Sequence, residues 1–468
     1  MIQPLTKGFS REGVEALSML KGEPAWMLEK RLAAWEVYEQ MPAPLGRRGD
    51  LGVLQRVARY KYDTLIPYVA NGARADGHLP LPTWEAGLLV QRNSSVVARE
   101  LDPALAAKGV ILTDMDTAVR EYAELVQRYF MTGVTPGDNK YAALHGAFWS
   151  GGLFLYIPRG VVVDRPVLAR YLLDQPNATN FAHTLLIAET SSQLVYIEET
   201  ASSLPAGATA LFNGVAEIFA KDNAHVQFNS VQDFGPGVWN LTTKHGIPEK
   251  DGYIHWIVAD LGADTTLANL GTTLAGSGSN GDIVGVLFAT GQQFVQINTL
   301  SNHAALSTSA ETYFKGVLDD KARVDFEGLI KVAHGAQQTN SYLSDHTLLL
   351  SDAARAEAIP SLEIAANDVR ASHGATTGQI DAEQLFYLMC RGIPEAEARR
   401  LIVQGFFEPV LDKIPSNELR ARLRRSIVSK MAKEGQPIAE DTEWHDVTDQ
   451  WDIEGAGAEA VAIYGGDE

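Results

Sequence analysis

The fold prediction starts from the stretch Ser372-His373-Gly374-Ala375-Thr376-Thr377-Gly378-Gln379-Ile380-Asp381 and from the run that follows it, Gln384-Leu385-Phe386-Tyr387-Leu388-Met389-Cys390-Arg391-Gly392-Ile393. Before this stretch the apolar residues follow the period of strands, and after it they follow the period of helices. Asp381 can cap the start of a helix, Gly392 suits the position after its end, and Pro394 suits the first turn of another. We therefore expect a Gly-rich corner at His373, where a β body meets a helical cap.

Composition limits what the chain can bind. It has 468 residues, 46% of them hydrophobic, and a net charge of -19. This acidity disfavours nucleic acid and anionic membranes as partners, because both recruit Lys and Arg. We find no signal-peptide pattern at the start and no run of the ~20 apolar residues that span a bilayer. Cys390 is the single cysteine, which excludes an internal disulfide and indicates a reducing cytoplasm.

The chain divides into four predicted regions. They are an N-terminal helical domain over residues 1–135, a β core over 136–372, a C-terminal helical domain over 373–435 and an acidic tail over 436–468. In the first region, Pro24 can open a helix and residues 114–130 predict another. In the third region, Ser416 can cap a helix whose apolar residues recur every four positions.

The β core is predicted from short runs joined by small polar turns. Strands are expected at 151–163 (broken by Pro158-Arg159-Gly160), 183–189, 193–198, 208–219, 225–231, 253–259, 283–289 and 294–300. Several turns end in Ala before an alternating run, as at Ala224, Ala263, Ala322, Ala336 and Ala354. A small residue after a turn suits the corners of stacked coils, but the irregular spacing fits an antiparallel sandwich or barrel nearly as well.

The C-terminal end carries strong charge patterns. The last predicted helix has basic residues off its apolar side: Arg420, Arg422, Arg424, Arg425 and Lys430. Such a face is usually solvated; the alternative is a docking surface for an acidic partner or for the chain's own tail. After Lys433 there is no Lys or Arg, and Trp444 and Trp451 stand among acidic residues. We expect a mobile acidic extension, or else a segment whose tryptophans dock on a neighbour.

These residues resemble the SufB/SufD family of iron–sulfur cluster assembly proteins. The Ser-His-Gly-Ala-Thr corner at 372–376 is closest to the SufD branch, and the Leu-Phe-Tyr-Leu run with Arg391, Gly392 and Ile393 belongs to both branches. The resemblance implies a mainly β fold with a right-handed parallel β-helix core, flanked by N-terminal and C-terminal helical regions. It therefore favours stacked coils over the sandwich.

The resemblance also implies a function that is not enzymatic. The chain would be a SufD-like subunit that pairs with a SufB-like subunit and docks SufC, an ABC-type ATPase. His373 would lie at the interface with SufB and help assemble a transient cluster with a SufB cysteine, as a candidate metal ligand. A cluster usually needs about four thiolates, so this chain alone should hold none stably. The family often has a cysteine two residues before this His, where this chain has Ala371.

The C-terminal helices are the expected docking site for SufC. Phe386, Tyr387, Arg391, Phe406 and Phe407 are candidate anchors, because aromatic residues and Arg dominate interfaces. The alternative for the Phe residues is burial within the helical cap. Cys390 reads more readily as a packed core thiol than as a reactive one. His373 itself could be a structural His that bonds a nearby carbonyl.

Other functions remain open at this point. The chain could be a SufB-like scaffold or a homodimeric relative, although the shortage of thiols disfavours a scaffold. It could also be a β-helix carbohydrate-active enzyme, for which Asp319, Asp320, Asp325 and Glu327 form the one dense acidic group of the β region. The positions of these residues predict a turn followed by one face of a strand. No P-loop is present, so the chain is not expected to bind ATP as an ATPase does.

Overall fold

The computed structural model describes residues 7–44, 52–69, 81, 84–414 and 417–431. The predicted cap at Ser416 and the predicted tail lie outside these residues. The helices are α1 (Arg11–Lys21), α2 (Ala25–Gln40), α3 (Val53–Ala58), α4 (Pro103–Ala106), α5 (Met115–Glu121), α6 (Ala123–Tyr129), α7 (Lys140–Phe148), α8 (Ala382–Cys390), α9 (Glu395–Leu411) and α10 (Asn417–Met431).

Two sheets form the body. The strands are β1 (Gly87–Arg92), β2 (Ser95–Leu101), β3 (Ile111–Asp114), β4 (Leu153–Ile157), β5 (Val167–Leu173), β6 (Thr179–Asn180), β7 (His183–Ala188), β8 (Gln193–Ser202), β9 (Ala210–Ala220), β10 (His225–Asp233), β11 (Val238–Pro248), β12 (Tyr253–Asp260), β13 (Thr265–Leu274), β14 (Asn280–Ala289), β15 (Phe294–His303), β16 (Ser309–Leu318), β17 (Arg323–Val332), β18 (Thr339–Leu349), β19 (Arg355–Ile364) and β20 (Val369–Gln379).

The strands wind as a parallel solenoid with two walls. Wall A has the order β2-β1-β5-β8-β10-β12-β14-β16-β18-β20, and wall B has the order β19-β17-β15-β13-β11-β9-β7-β4-β3, with β6 beside β9. From β7 onward the chain alternates between the walls, and each strand pairs in parallel with the strand one coil earlier. The expected parallel coil architecture is therefore confirmed, and an antiparallel sandwich is excluded for the core. The last strands of walls A and B are β20 and β19.

The Ala residues after the turns mark the corners of the coils, as predicted. Ala224, Ala263, Ala322, Ala336 and Ala354 are each at most 2% exposed. Their neighbouring turns place residues such as Asn223 and Asp320 at positive φ, which reverses the chain in little space. A larger side chain at these corners would meet the core between the walls. The repeat is irregular because the turns between equivalent strands differ in length.

The N-terminal region is not wholly helical, contrary to the prediction for residues 1–135. Strands β1 and β2 form an antiparallel hairpin through Asn93, which has φ of 49°, and β3 pairs antiparallel with β4. The signal was two short apolar runs, at 88–90 and 96–98, flanking an Asn-Ser turn. The helix predicted at 114–130 is present but divides at Tyr122 into α5 and α6, with Asp114 as the cap of α5.

The corner predicted at His373 is also absent. His373 lies inside β20, which pairs with β18 from Thr339↔Val369 to Leu349↔Gln379. The β body therefore continues to Gln379. The long parallel ladder supplies partners for the backbone of this Gly-containing run, and this outweighs its low strand propensity. The following helices match the prediction more closely, since Asp381 caps α8 and Gly392 has φ of 87° just after it.

Helices pack on the outer face of each wall. The N-terminal helices pack on wall B through the cluster that joins Phe148 and Trp35 to Leu241 and Leu267. Helices α9 and α10 pack on wall A, where Phe407 and Leu423 belong to one cluster with Phe288. Among the described helices, none is both long and apolar enough to cross a bilayer.

The basic face of α10 is partly turned toward the body rather than solvated. Arg422 bonds Glu199 on β8, and Lys430 donates to the carbonyl oxygens of Leu261 and Phe288. Arg424 pairs with Glu408 on α9. These contacts tie α10 to wall A, so that its charge serves attachment within the chain.

A buried clamp fastens the N-terminal region to wall B. Glu217 on β9 is fully buried and accepts hydrogen bonds from four successive backbone N–H groups, those of Met131, Thr132, Gly133 and Val134, at 2.6–3.0 Å. Its Oε2 also lies 3.1 Å from Nε2 of His183. Five polar contacts on one carboxylate compensate much of the cost of burying its charge.

The hydrogen bonds of His145 indicate which of its ring nitrogens carries the proton. Nδ1 of His145 lies 2.9 Å from the carbonyl oxygen of Asn213, which can only accept, so this nitrogen carries the proton. Nε2 of His145 then accepts from Nδ1 of His183 at 3.1 Å. Burial, followed by the charge of His183, holds the pKa of His145 well below its usual range, which agrees with a neutral ring. Nδ1 of His183 therefore donates to His145, and its Nε2 faces the carboxylate of Glu217.

The clamp predicts a large effect from a small change. Glu217→Gln should destabilise the fold by about 3 kcal/mol, because the amide nitrogen that replaces one carboxylate oxygen cannot accept a hydrogen bond from the buried loop. Thermal and urea unfolding would measure this. Glu249→Gln is the matched control, since that carboxylate forms a surface pair with Lys221 and should change stability by about 1 kcal/mol or less. Equal effects of the two variants would contradict the clamp.

Candidate functional site

The open end of the solenoid is the candidate site. In the sheet order, β20 is the last strand of wall A and β19 is the last strand of wall B. No described strand lies beyond either of them, so each presents one row of backbone donors and acceptors along a free edge. Their side chains are mostly exposed or half-buried, whereas those of β16 and β18 are mostly buried. The last coil therefore leaves its backbone edges and most of its side chains accessible.

His373 lies in the middle of this last coil. It pairs with Leu343 on β18, which belongs to the core between the walls. Paired residues of parallel strands point to the same side, so the ring of His373 faces the space between the walls. It is exposed because no further coil stacks over it. Val369 and Ala371 on the same side of β20 pack partly against the core.

His373 has few chemical partners within its own chain. Among the described residues, no group of three His, Cys, Asp or Glu side chains comes together to hold a metal ion. Within the described part of the chain, this site presents one imidazole. An exposed imidazole is a side-chain group that commonly binds metal ions.

Sequence reasoning missed Asp345, which lies one strand below. It pairs with Ala375 on the core side of β18, is 5% exposed, and accepts a hydrogen bond from Oγ1 of Thr347 at 3.3 Å. Burial raises its pKa to about 7. The signal was present, because Leu343, Asp345 and Leu349 alternate on one side of the strand. Reading that alternation needed the strand's register, which the pairing with β20 reveals.

The predicted docking residues fall into two groups. Phe386 is 68% exposed, Tyr387 is 58% exposed, and Arg391 donates to Oη of Tyr387 at 3.0 Å. No residue of α8 is buried. Phe407 is fully buried against Phe288, because it faces wall A. Of the predicted anchors, Phe386, Tyr387 and Arg391 are exposed on α8 or just after it, whereas Phe407 on α9 is buried in the core.

Phe406 lies between its two sequence alternatives, and Cys390 differs from its sequence interpretation. Phe406 is half-buried, with Nζ of Lys315 4.4 Å from its ring centroid and bonded to its carbonyl oxygen. Cys390 is exposed on α8, so the interpretation as a packed core thiol is wrong. The helix is apolar enough to suggest burial, but it contacts the body through α9 and leaves its own apolar face open.

The acidic group proposed for a carbohydrate-active enzyme does not form a site. Asp319 and Asp320 lie in the turn before β17, as predicted, and Asp325 bonds Nε of Arg323 at 3.3 Å. Glu327 lies two residues further along the same strand. A glycosidase needs two carboxyl groups that face each other across a bond. These residues instead occupy a turn and one strand face.

Comparison with known proteins agrees with this architecture. Residues 171–406 match the model of the SUF system FeS cluster assembly SufBD core domain, and residues 80–168 match that of the SufBD protein N-terminal region. The chain is 32% identical to the iron–sulfur cluster assembly protein SufD of Bacillus subtilis over 433 residues, covering 90% of this chain and 98% of that one. An iron–sulfur cluster assembly SufBD family protein of Staphylococcus epidermidis is 31% identical over 443 residues, covering 91% and 93%.

The buried carboxyl group of Asp345 predicts a pH-dependent stability. Its pKa is raised, so the folded state keeps a proton that the unfolded chain releases, and this contribution is present below about pH 4 and lost as pH rises through about 7. Asp345→Asn removes the ionisation and should become more stable than the native chain by up to about 4 kcal/mol at pH 8, with little difference at pH 4. Thermal unfolding between pH 4 and 8 measures it.

The matched control is Asp222→Asn, at an exposed turn. It should follow the pH profile of the native chain. A constant difference between Asp345→Asn and the native chain across the range would refute the raised pKa and leave only a packing effect.

Proposed function

Because this chain belongs to the SufBD family of iron–sulfur cluster assembly proteins, we propose that it is a SufD-like subunit of a SufBCD-type complex. Its role lies in iron–sulfur cluster assembly. The finer proposal is that it pairs with a SufB-like subunit, docks one SufC-like ABC ATPase and has no catalytic activity of its own. The observation that carries it is the open last coil, with His373 facing the exposed space between the walls.

The open coil supports pairing with a similar solenoid. Strands β19 and β20 present backbone edges at the same end of the body, and a partner with the same two-walled form can continue both ladders at once. Leu362 and Ile364 of β19 are 37% and 42% exposed there, although their paired residues Ile330 and Val332 lie in the core. A partner would bury these apolar side chains as the next coil would.

His373 would then lie within the joint between the two chains. Iron and sulfide are the cargo of this site, and the SufB-like partner would supply thiolates. The imidazole faces the space into which a partner residue on the next coil would project. Because the chain binds through one imidazole, a cluster would leave this subunit when the joint opens, and no cluster would stay on the isolated chain.

The ATPase would dock on α8. Phe386 and Tyr387 provide apolar contact area, and Arg391 lies beside Tyr387 at the end of the helix. Helix α8 follows β20 after only Ile380 and Asp381, so a movement imposed on α8 reaches the strand that carries His373. This short connection is how ATP-driven closure of two ATPase subunits would alter the joint. The work would take place in the cytoplasm, where thiols stay reduced.

The experiment is co-expression of the tagged chain with SufB-like and SufC-like partners. We expect a stable three-component complex that assembles clusters, and a colourless chain when it is purified alone. His373→Ala should leave the complex intact and reduce cluster formation at least about tenfold, because a ligand is lost without loss of packing. Absorbance of the purified complex and transfer to an apo acceptor would measure this.

The control for His373→Ala is His225→Ala, exposed on β10, which lies five strands from β20 in wall A. Normal cluster assembly with His373→Ala would reject the proposed role of this side chain. An isolated chain that holds a reconstituted cluster would instead indicate a SufB-like scaffold, and a self-associating chain that ignores both partners would indicate a homodimer.

The docking proposal is tested separately. Phe386→Ala and Tyr387→Ala should each weaken binding of the SufC-like ATPase by about 2 kcal/mol, roughly thirtyfold, if they are central anchors. Met19→Ala on α1 is the control, since Met19 is 81% exposed and far from α8 in the chain. Calorimetry with the purified ATPase would measure the affinities. Unchanged binding by both α8 variants would move the docking site elsewhere.

A further inference from the structure

Helix α8 presents an apolar face that no described residue covers. Phe386 and Tyr387 are more than half exposed, Met389 is 42% exposed, and Leu401 on the adjoining α9 is 40% exposed. Cys390 lies four residues after Phe386 and three after Tyr387, so it shares their side of the helix. Covering such side chains gains roughly 25 cal/mol per Å² of apolar surface. Exposed apolar patches of this kind usually mark contact surfaces.

The chain's own tail contains a segment of complementary chemistry. After Lys433 the chain has eleven acidic residues and no Lys or Arg, so residues 434–468 carry -11 of the net charge of -19. Within this acidic run, Trp444, Val447 and Trp451 recur at intervals of three and four residues. This is the spacing at which apolar anchors of peptide ligands enter a hydrophobic surface. Two tryptophans and one valine at this spacing, within a mostly polar run, favour contact with an apolar surface.

The tail starts close enough to reach α8. Helix α10 ends at Met431, and Lys430 beside it donates to the carbonyl oxygen of Phe288 on β14. In wall A, β20 lies three strands beyond β14, a distance of about 14 Å at the usual strand spacing. The thirteen residues from Met431 to Trp444 can span up to about 43 Å. The connection is therefore long enough without being fully extended.

The charges on α8 favour one orientation of the tail. Arg391 at its C-terminal end is exposed, and its guanidinium lies 5.2 Å from the ring centroid of Tyr387. An indole placed over this pair gains a cation–π contact, and carboxylates beside it can accept from the remaining guanidinium donors. Asp381 and Glu383 at the opposite end repel an acidic segment. The carboxylates of Asp446 and Asp449 would thus lie toward Arg391.

We propose that segment 444–451 of the acidic tail docks on the exposed face of α8 in the same chain. Trp444 and Trp451 cover Phe386, Tyr387 and Met389, and the acidic residues between them face Arg391. The tail then acts as an internal cover for this helix. A partner that uses α8 has to displace it; that consequence alone rests on the proposed function, whereas the docking does not.

Cys390 offers a direct test, because it is the one thiol of the chain and lies on the face in question. The rate of N-ethylmaleimide addition would be measured on the full chain and on a variant with Trp444→Ala and Trp451→Ala. We expect the variant to react about tenfold faster, since the segment shields the thiol only while it is docked. The matched control replaces Ile463 and Tyr464 by Ala in the same tail and should react at the native rate.

Two outcomes would overturn the proposal. Equal rates for the native chain and the tryptophan variant, with circular dichroism showing both folded, would exclude docking of the segment over Cys390. A native rate that rises on dilution would assign the cover to a second copy instead of the same chain. Neither measurement involves the ATPase, so failure here is distinguishable from failure of the proposed assembly role, which the co-expression experiment tests by itself.

Discussion

Parallel backbone pairing between successive coils is the constraint on which the rest of this structure depends. Each strand from β8 to β18 satisfies its donors and acceptors on both edges with the coils before and after it. The two ends of such a stack are therefore chemically different from its middle. At the first end the chain turns back in antiparallel strands β2 and β3, whereas the last coil has no described strand beyond it.

The helices follow from the same constraint. A two-walled solenoid has two outer faces, and each face carries apolar residues that need cover. The N-terminal helices cover wall B, and α9 and α10 cover wall A. Helix α8 follows the last strand of wall A and contacts the body through α9, so that none of its residues is buried.

Buried charge is concentrated where the parts of the molecule join. Glu217 holds the N-terminal loop against wall B, and the pair of Glu199 with Arg422 holds α10 against wall A. Glu199 is also bonded to Arg170, and these guanidinium groups hold its pKa below the usual range although burial opposes them. Such pairs add little net stability, but breaking one is costly. They specify where each helical region attaches.

The sequence by itself determined the caps of α8 and the Ala corners, because these depend on local spacing and on residue types that a turn or a cap requires. The resemblance to a known family, and not the strand spacing, indicated parallel coils. The sequence did not determine that His373 lies within a strand, that Phe407 is buried while Phe386 is not, or that Asp345 faces the core. The positions of His373 and Asp345 depend on strand partners about thirty residues away, as between Leu343 and His373. The burial of Phe407 depends on its packing against Phe288 of wall A. Only the tertiary structure decides them, since the side a strand residue faces is set by register with its neighbours.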